Sequence, residues 1–309
     1  MNIWFGRNAP HSLQGSAVSI GNFDGVHIGH KRILQRLHDE ARARGLQSVV
    51  LVFEPQPTEY FAAQSGRTSP FRLTPMRDKL RLLAQTDCVD AVWIQRFNTD
   101  FASLSAQDFM TQILLDKLNT RFLLVGDDFR FGKGRTGDFE FLLQQTEFET
   151  QNTPSILVSG SRASSTRVRE ALAAGRLDVA RQILGHDYRL SGKVKHGAKL
   201  GRVLGCPTAN VHLASHRYAL SGVFVIEVTG SFGRKNGVAN LGYNPTVSMV
   251  CQNKLEVHLF DFSGSLYGER IEVTFLHKLR NEMKFNTLSD LQNAIAHDMN
   301  AARNWLSNI

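Results

Sequence analysis

The sequence predicts an α/β layer of parallel strands, followed by a mostly antiparallel β-barrel with a C-terminal helix. Three observations predict it. Apolar strand signals alternate with amphipathic helical patterns through the first half of the chain. From Tyr188 onward, short strands are broken by Gly, Asn and Pro turns. One long amphipathic pattern closes the chain. At 309 residues there is room for two domains, each with its own core.

In the first half, strands are predicted at residues 17–20, 48–53, 91–94, 122–125 and 156–158. Between them, Ile33, Leu34, Leu37 and Ala41 form one apolar helix face, and Leu80, Leu82 and Leu83 mark a second helix. Ser105 with Asp108 resembles a capping box that opens a third helix bearing Phe109, Ile113 and Leu114. Alternation of this kind implies a parallel sheet that binds ligands beyond the carboxyl ends of its strands. A helical pair around Ala171 and Ile183 leads to the second half. There the predicted strands are residues 189–195, 222–228, 237–241, 255–260 and 270–275, and their spacing suggests an antiparallel barrel. The last helix starts near Leu288, with Leu291, Ile295, Met299 and Trp305 on its apolar side.

Composition narrows the function classes. Hydrophobic residues make up 42% and charged residues 21% of the chain, a globular balance. No apolar run approaches the roughly 20 residues of a membrane-spanning helix, and residues 1–10 lack the pattern of a signal peptide. Cys88, Cys206 and Cys251 are scattered without metal-ligand spacing, which fits reduced thiols in a cytoplasmic protein. A formal charge of +8 favours anionic partners. The basic residues are dispersed, as in Arg42 with Arg44 and Arg167 with Arg169, whereas a dedicated nucleic-acid protein more often shows a basic tail or stripe; charge alone leaves nucleotides and nucleic acid both open.

Residues 21–30 read Gly-Asn-Phe-Asp-Gly-Val-His-Ile-Gly-His, after an apolar strand and before a helix. The glycines allow close backbone approach, and a helix N-terminus offers N–H groups to phosphate. His27 and His30 lie three apart, so a first helical turn brings them to one face. Donors fixed there would stabilise charge on a triphosphate during transfer at its α-phosphorus. Either histidine alone reads as an exposed turn residue; together with Gly21, Asp24, Gly25 and Gly29 they read as a site. Downstream, Ser164-Ser-Thr-Arg-Val-Arg169 opens another helix with hydroxyls and guanidiniums, a second candidate phosphate cradle. By contrast, Gly132 to Gly137 fits GxGxxG only formally, lacking the strand and the acidic residue of a dinucleotide fold, and there is no P-loop.

With HxGH at His27–His30 and SSTxxR at Ser164–Arg169, this half resembles the HIGH-motif nucleotidylyltransferases, which implies a Rossmann-like sheet. In the second half, Gly201 to Asn210 holds the ingredients of a phosphate flap: glycines at 201 and 205, then Pro207, with the hard oxygens of Thr208 and Asn210 suited to Mg²⁺ carrying ATP. Glu256, in Leu-Glu-Val-His, could take a proton from an attacking hydroxyl. By themselves, that stretch reads equally as a turn into a strand and Glu256 as a solvated side chain. Together with residues 237–242, 244–246 and 279–285 they resemble a riboflavin kinase domain. Nearly the whole chain is similar, in order, to the bacterial bifunctional riboflavin kinase/FAD synthetase family.

The resemblance implies an FMN adenylyltransferase domain over residues 1–185 and a riboflavin kinase domain over 186–309. Gly21, Asn22, Asp24, His27, Gly29 and His30 would hold ATP phosphates, with Ser164, Ser165, Thr166 and Arg169 completing the cradle. Phe53, Pro55, Phe61, Asp128 and Phe129 match flavin-side positions, Thr208 and Asn210 would bind Mg-ATP, and Glu256 would be the general base. ATP, riboflavin and FMN are the implied partners, with no nucleic acid and no membrane; nothing is implied about oligomeric state. Gln56 departs from the His of the family's DPHP segment, and Asp128, Tyr243 and Met283 are further departures. They bear on flavin affinity and loop motion rather than on the chemistry.

Overall fold

The computed structural model describes residues 1–6, 13–154, 156–196, 206–244 and 252–308, with backbone alone at 243, 244 and 252. Its chain forms two compact units, Met1–Pro70 with Met76–Ser164, and Phe71–Pro75 with Ser165–Ile309.

The first unit is built on six strands: β1 (Asn2–Phe5), β2 (Ser16–Ile20), β3 (Gln47–Glu54), β4 (Ala91–Arg96), β5 (Thr120–Gly126) and β6 (Glu149–Thr153). They lie in the order β1-β4-β3-β2-β5-β6, every neighbouring pair parallel. Its helices are α1 (Ile28–Ala43), α2 (Pro57–Gln64), α3 (Met76–Ala84), α4 (Thr99–Ala102), α5 (Ala106–Asp108) and α6 (Phe139–Leu143). The two-residue period of a strand sends alternate side chains of β3 to opposite layers. Val50 and Val52 join Leu34, Leu37 and Ala41 of α1, while Val49, Leu51 and Phe53 join Phe109, Ile113 and Leu114. Strands covered on both faces read as near-continuous apolar runs, which is why β2 to β5 were visible in the sequence.

Two expectations for this unit are corrected. The segment at residues 156–158 is not a strand of the main sheet. Leu157–Val158 (β7) pairs antiparallel with Ser161–Arg162 (β8), and the sixth parallel strand is β6, Glu-Thr-Gln-Asn-Thr. As an edge strand with one neighbour, β6 buries little and carries no apolar signal. The helix opened by Ser105, whose Oγ accepts from Asp108 N at 3.0 Å, is α-helical for three residues only. It continues as a π-helix over Phe109–Leu115, with Asp116 N donating to Thr111 O and Leu118 N to Ile113 O. The apolar positions of such a segment recur in the same pairs at either pitch, so periodicity does not separate the two.

The second unit contains α7 (Ser165–Ala173) and α8 (Leu177–Leu184), then a closed barrel and α9 (Leu288–Leu306). The barrel strands are β9 (Arg189–Lys195), β10 (Ala209–His212), β11 (Gly222–Gly230), β12 (Gly233–Asn244), β13 (Gln252–Leu259) and β14 (Arg270–Arg280). Their order is β10-β13-β12-β11-β14-β9, and β9 pairs with β10 to close the ring, leaving no edge. The four-residue β10, preceded by Pro207, was not predicted; it is too short to show alternation. α8 ends at Gly185 in the left-handed region, φ 68°, as helix C-termini often do. α9 starts where Thr287 Oγ1 accepts from Asp290 N at 3.1 Å, and Met299 and Trp305 pack with Val225, Phe260 and Ala302.

Candidate active sites

In the first unit the strand order reverses at β2, whose neighbours β3 and β5 follow it on opposite sides. A crevice forms at such a switch point, beyond the strand ends. The turn from β2 into α1 occupies it. Phe23, Gly25 and Val26 take positive φ of 45°, 84° and 41°, a backbone that a β-branched residue enters only under tertiary constraint. His27 is the N-cap of α1, and its Nδ1 accepts from His30 N at 3.3 Å. That bond leaves the neutral ring's proton on Nε2. The rings of His27 and His30 stack with centroids 3.6 Å apart. A Cβ on Gly29 would lie 3.1 Å from the His27 ring, so glycine is what lets the imidazole lie flat against the helix.

His27 and Asp24 are buried, and the Nδ1 of half-buried His30 is screened from solvent without a partner among the described residues. Burial first, then the nearby His27 and Lys79, holds the His30 pKa well below its ordinary value. His30 is thus neutral and available to donate. The Asn22 Oδ1 is likewise buried without a partner among the described residues. Gly21, Asn22, Asp24, His27, Gly29 and His30 are therefore gathered in one turn.

The expected flavin-side residues are joined by a chain of aromatic rings. Phe61, 54% exposed, meets Phe97 at 5.7 Å; Phe97 meets buried Phe53 at 5.7 Å. Phe53 continues through Phe101, Phe109 and Phe131 to Phe129. Pro55 follows Phe53 at the end of β3, and Gln56, buried, caps α2. Asp128 is mostly exposed, 3.3 Å from Arg162, which also reaches Asp127. Phe97, Phe101 and Phe131 were not singled out from sequence; the four-residue spacing of the first two was the available signal.

Ser164 belongs to the first unit, whereas Ser165, Thr166 and Arg169 belong to α7 in the second. There Arg169 Nε donates to Phe71 O at 2.6 Å.

In the barrel, cross-strand register does what sequence distance hides. Val223, Asn240, Glu256, Asn210 and Lys195 pair successively across β11, β12, β13, β10 and β9. Directly paired residues share a face. A cavity of about 310 Å³ opens here, lined by Thr208, Asn240, Glu256 and Arg280 and walled by Met283, Phe285, Leu291, Ile295 and Met299. Lys254 Nζ lies 3.1 Å from Glu256 Oε2. A second cavity of about 200 Å³ is lined by Pro207, Thr208, His258, Phe262 and Tyr267. Thr208 and His258 border both, and His258 Nδ1 bonds Pro207 O at 3.0 Å.

Arg280 holds the far wall. Its Nε and Nη2 grip buried Asp298 of α9 at 2.8–3.1 Å, Nη1 donates to Asn281 O, and its guanidinium lies 5.7 Å from the Phe285 ring. Cys206 also lines the larger cavity, but burial pushes its thiol up to about 11, so it is no nucleophile. Gly201, Gly205 and the side chain of Tyr243 lie outside what the structure describes. Sequence reasoning passed over Asn240, Arg280 and Asp298 as site residues, because only strand pairing and the docking of α9 bring them to Glu256; His258, two residues along β13 from Glu256, was passed over as well.

Comparison with known proteins follows this division. The FAD synthetase family matches residues 9–167 and the riboflavin kinase family residues 184–306. A bifunctional riboflavin kinase/FMN adenylyltransferase of Escherichia coli K12 is 47% identical over 94% of this chain and 93% of its own. Proteins of the same description from Pseudomonas fluorescens and Haemophilus influenzae are 45% and 43% identical, the latter over 96% of both chains. A solved structure described as a macrolide-efflux protein from Streptococcus pneumoniae superposes with a TM-score of 0.81 at 27% identity, covering 99% of this chain and 100% of that one. No helix among the described residues is long and apolar enough to cross a membrane. Two family matches in order and full-length relatives of this identity place the chain in the bifunctional riboflavin kinase/FMN adenylyltransferase family.

Proposed function

We propose that the barrel phosphorylates riboflavin and that the parallel-sheet unit then adenylylates the FMN produced, with the boundary between the two functions at Gly185. The observation that carries the kinase assignment is the paired Glu256 and Asn240 at the floor of a cavity whose other walls are largely apolar, with Asn210 pairing Glu256 on its other side. The flat flavin ring suits the apolar wall of Met283, Phe285 and Leu291, while the nucleotide suits the smaller cavity beyond Thr208 and His258. In this reading the riboflavin 5′-hydroxyl oxygen attacks the γ-phosphorus of ATP. Its proton passes to the Glu256 carboxylate, the bond from γ-phosphorus to the bridging oxygen breaks, and ADP leaves.

Thr208 and Asn210 fit a Mg²⁺ by the chemistry of their neutral hard oxygens. Among the described residues no cluster of three His, Cys, Asp or Glu side chains could hold a metal alone. Such an ion would be shared with the phosphates, where it would offset their charge.

In the first unit an FMN phosphate oxygen attacks the α-phosphorus of ATP, and the α–β bridging bond breaks to release pyrophosphate. The nucleophile is already an anion, so no base is required. His27, His30 and the N–H groups that open α1 meet the charge spread over the phosphates. Asn22 contributes its amide, and Phe53, Pro55, Phe61, Asp128 and Phe129 face the flavin. For Ser164, Ser165, Thr166 and Arg169 a phosphate-binding role rests on the SSTxxR resemblance. A cytoplasmic location suits Cys88 and Cys206, both free and buried.

The test is chromatography of products. Riboflavin with Mg-ATP should yield FMN and FAD; Glu256→Gln should abolish FMN formation yet convert supplied FMN to FAD. His27→Ala with His30→Ala should accumulate FMN. A well-folded variant of either kind that loses both activities overturns the assignment of roles.

A further inference from the structure

One polar group in the kinase cavity has no task in the phosphoryl transfer just described. The Asn240 Oδ1 is shielded from solvent and has no hydrogen-bond partner among the described residues. Asn240 stands directly opposite Glu256 across β12 and β13, and opposite Val223 across β11. It lines the same cavity as Glu256. An amide oxygen left unpaired in a screened site costs free energy that a ligand's donor can recover. Side chains paired directly across strands have Cβ atoms about 5 Å apart, so the Glu256 carboxylate and the Asn240 amide oxygen are two neighbouring acceptors. Two neighbouring acceptors match two neighbouring O–H donors, which is what the end of a polyol chain presents.

We infer that Asn240 accepts a hydrogen bond from the hydroxyl adjacent to the one phosphorylated, so that Glu256 and Asn240 together read the terminal vicinal diol of the acceptor. Asn240 is a substrate-orienting and specificity-determining residue: the second hydroxyl, once held, fixes rotation about the last carbon–carbon bond and aims the first at the γ-phosphorus. The inference rests on the assignment of this cavity to riboflavin. A site built around a substrate hydroxyl discriminates strongly against an analogue that lacks it, because its own polar group is then stranded.

The experiment is a cycle of two enzymes and two substrates, read as riboflavin kinase kcat/KM. Replacing Asn240→Ala should lower kcat/KM for riboflavin on the order of ten- to a hundredfold, with KM for Mg-ATP and FMN adenylylation unchanged. The wild-type protein should lose a similar factor on 4′-deoxyriboflavin, and on that substrate the variant should lose little more. Equal losses on both substrates would mean that Asn240 acts only through the strand, and unchanged kinetics on riboflavin would mean that it does not act at all; either overturns the inference. Should Asn240→Ala fail to fold, Asn240→Ser, too short to reach, carries the same expectation. Glu256→Gln separates the two levels of argument. If it abolishes FMN formation while Asn240→Ala changes nothing, only the diol reading falls. If it leaves the kinase intact, the cavity assignment falls with it.

Discussion

Replacing Asp298→Asn should loosen α9 from the barrel and weaken riboflavin binding together. The Asp298 side chain is 6% exposed and that of Arg280 22%, and three nitrogen–oxygen contacts of 2.8–3.1 Å join them. Removing one partner of a buried ion pair costs about 3–5 kcal/mol, most of it from the charge left behind. Arg280 keeps its bond to Asn281 O and some solvent contact, so about 2–3 kcal/mol is the fitting magnitude here. Native-state hydrogen exchange of peptides from β14 and α9 reads this directly. Amides that open with the barrel should exchange about thirty to a hundred and fifty times faster. Because Arg280, Phe285 and four residues of α9, Asp298 among them, line the cavity, the KM for riboflavin should rise while FMN adenylylation stays constant. The double replacement Arg280→Met with Asp298→Leu should recover much of the lost protection, since no charge is stranded. Exchange in Asp298→Asn within a factor of three of wild type, or a double variant less protected than the single one, would refute the reasoning.

Two further outcomes follow from the same geometry. His30 has a folded-state pKa below its unfolded value, so the stability it contributes is present above about pH 6.5 and is lost as pH falls towards the folded pKa. The thermal midpoint of the first unit should therefore fall less steeply on acidification in His30→Gln than in wild type, and parallel curves would count against a buried neutral imidazole. At Gly237 a Cβ would lie 2.0 Å from His258 O, where ordinary contact begins at 3.4 Å. Gly237→Ala must push β12 from β13 beside Glu256, at a cost of about 3 kcal/mol; kinase turnover should collapse while adenylyl transfer persists, and wild-type kinase kinetics would exclude that close approach.

How much of this was legible without coordinates differs between the two units. A strand buried on both faces writes its burial as a mainly apolar run, so β2 to β5 could be read directly. An edge strand writes nothing of the kind, and the last strand was expected at residues 156–158 rather than at β6 for that reason. The π-helical turn over Phe109–Leu115 was invisible because its apolar positions fit either pitch.

The sequence by itself determined the candidate phosphate turn of the first unit, because its parts are local: a turn that needs Gly25 for positive φ and Gly29 for ring contact brings His27 and His30 together within four residues. Only the tertiary structure decided how the candidate site of the barrel is assembled. Asn210, Asn240 and Glu256 are far apart along the chain and meet through the register of β10, β12 and β13, while Arg280 and Asp298 complete the wall from β14 and α9. Hydrogen-bond ladders between distant strands set that arrangement, and no short-range pattern in the chain records them.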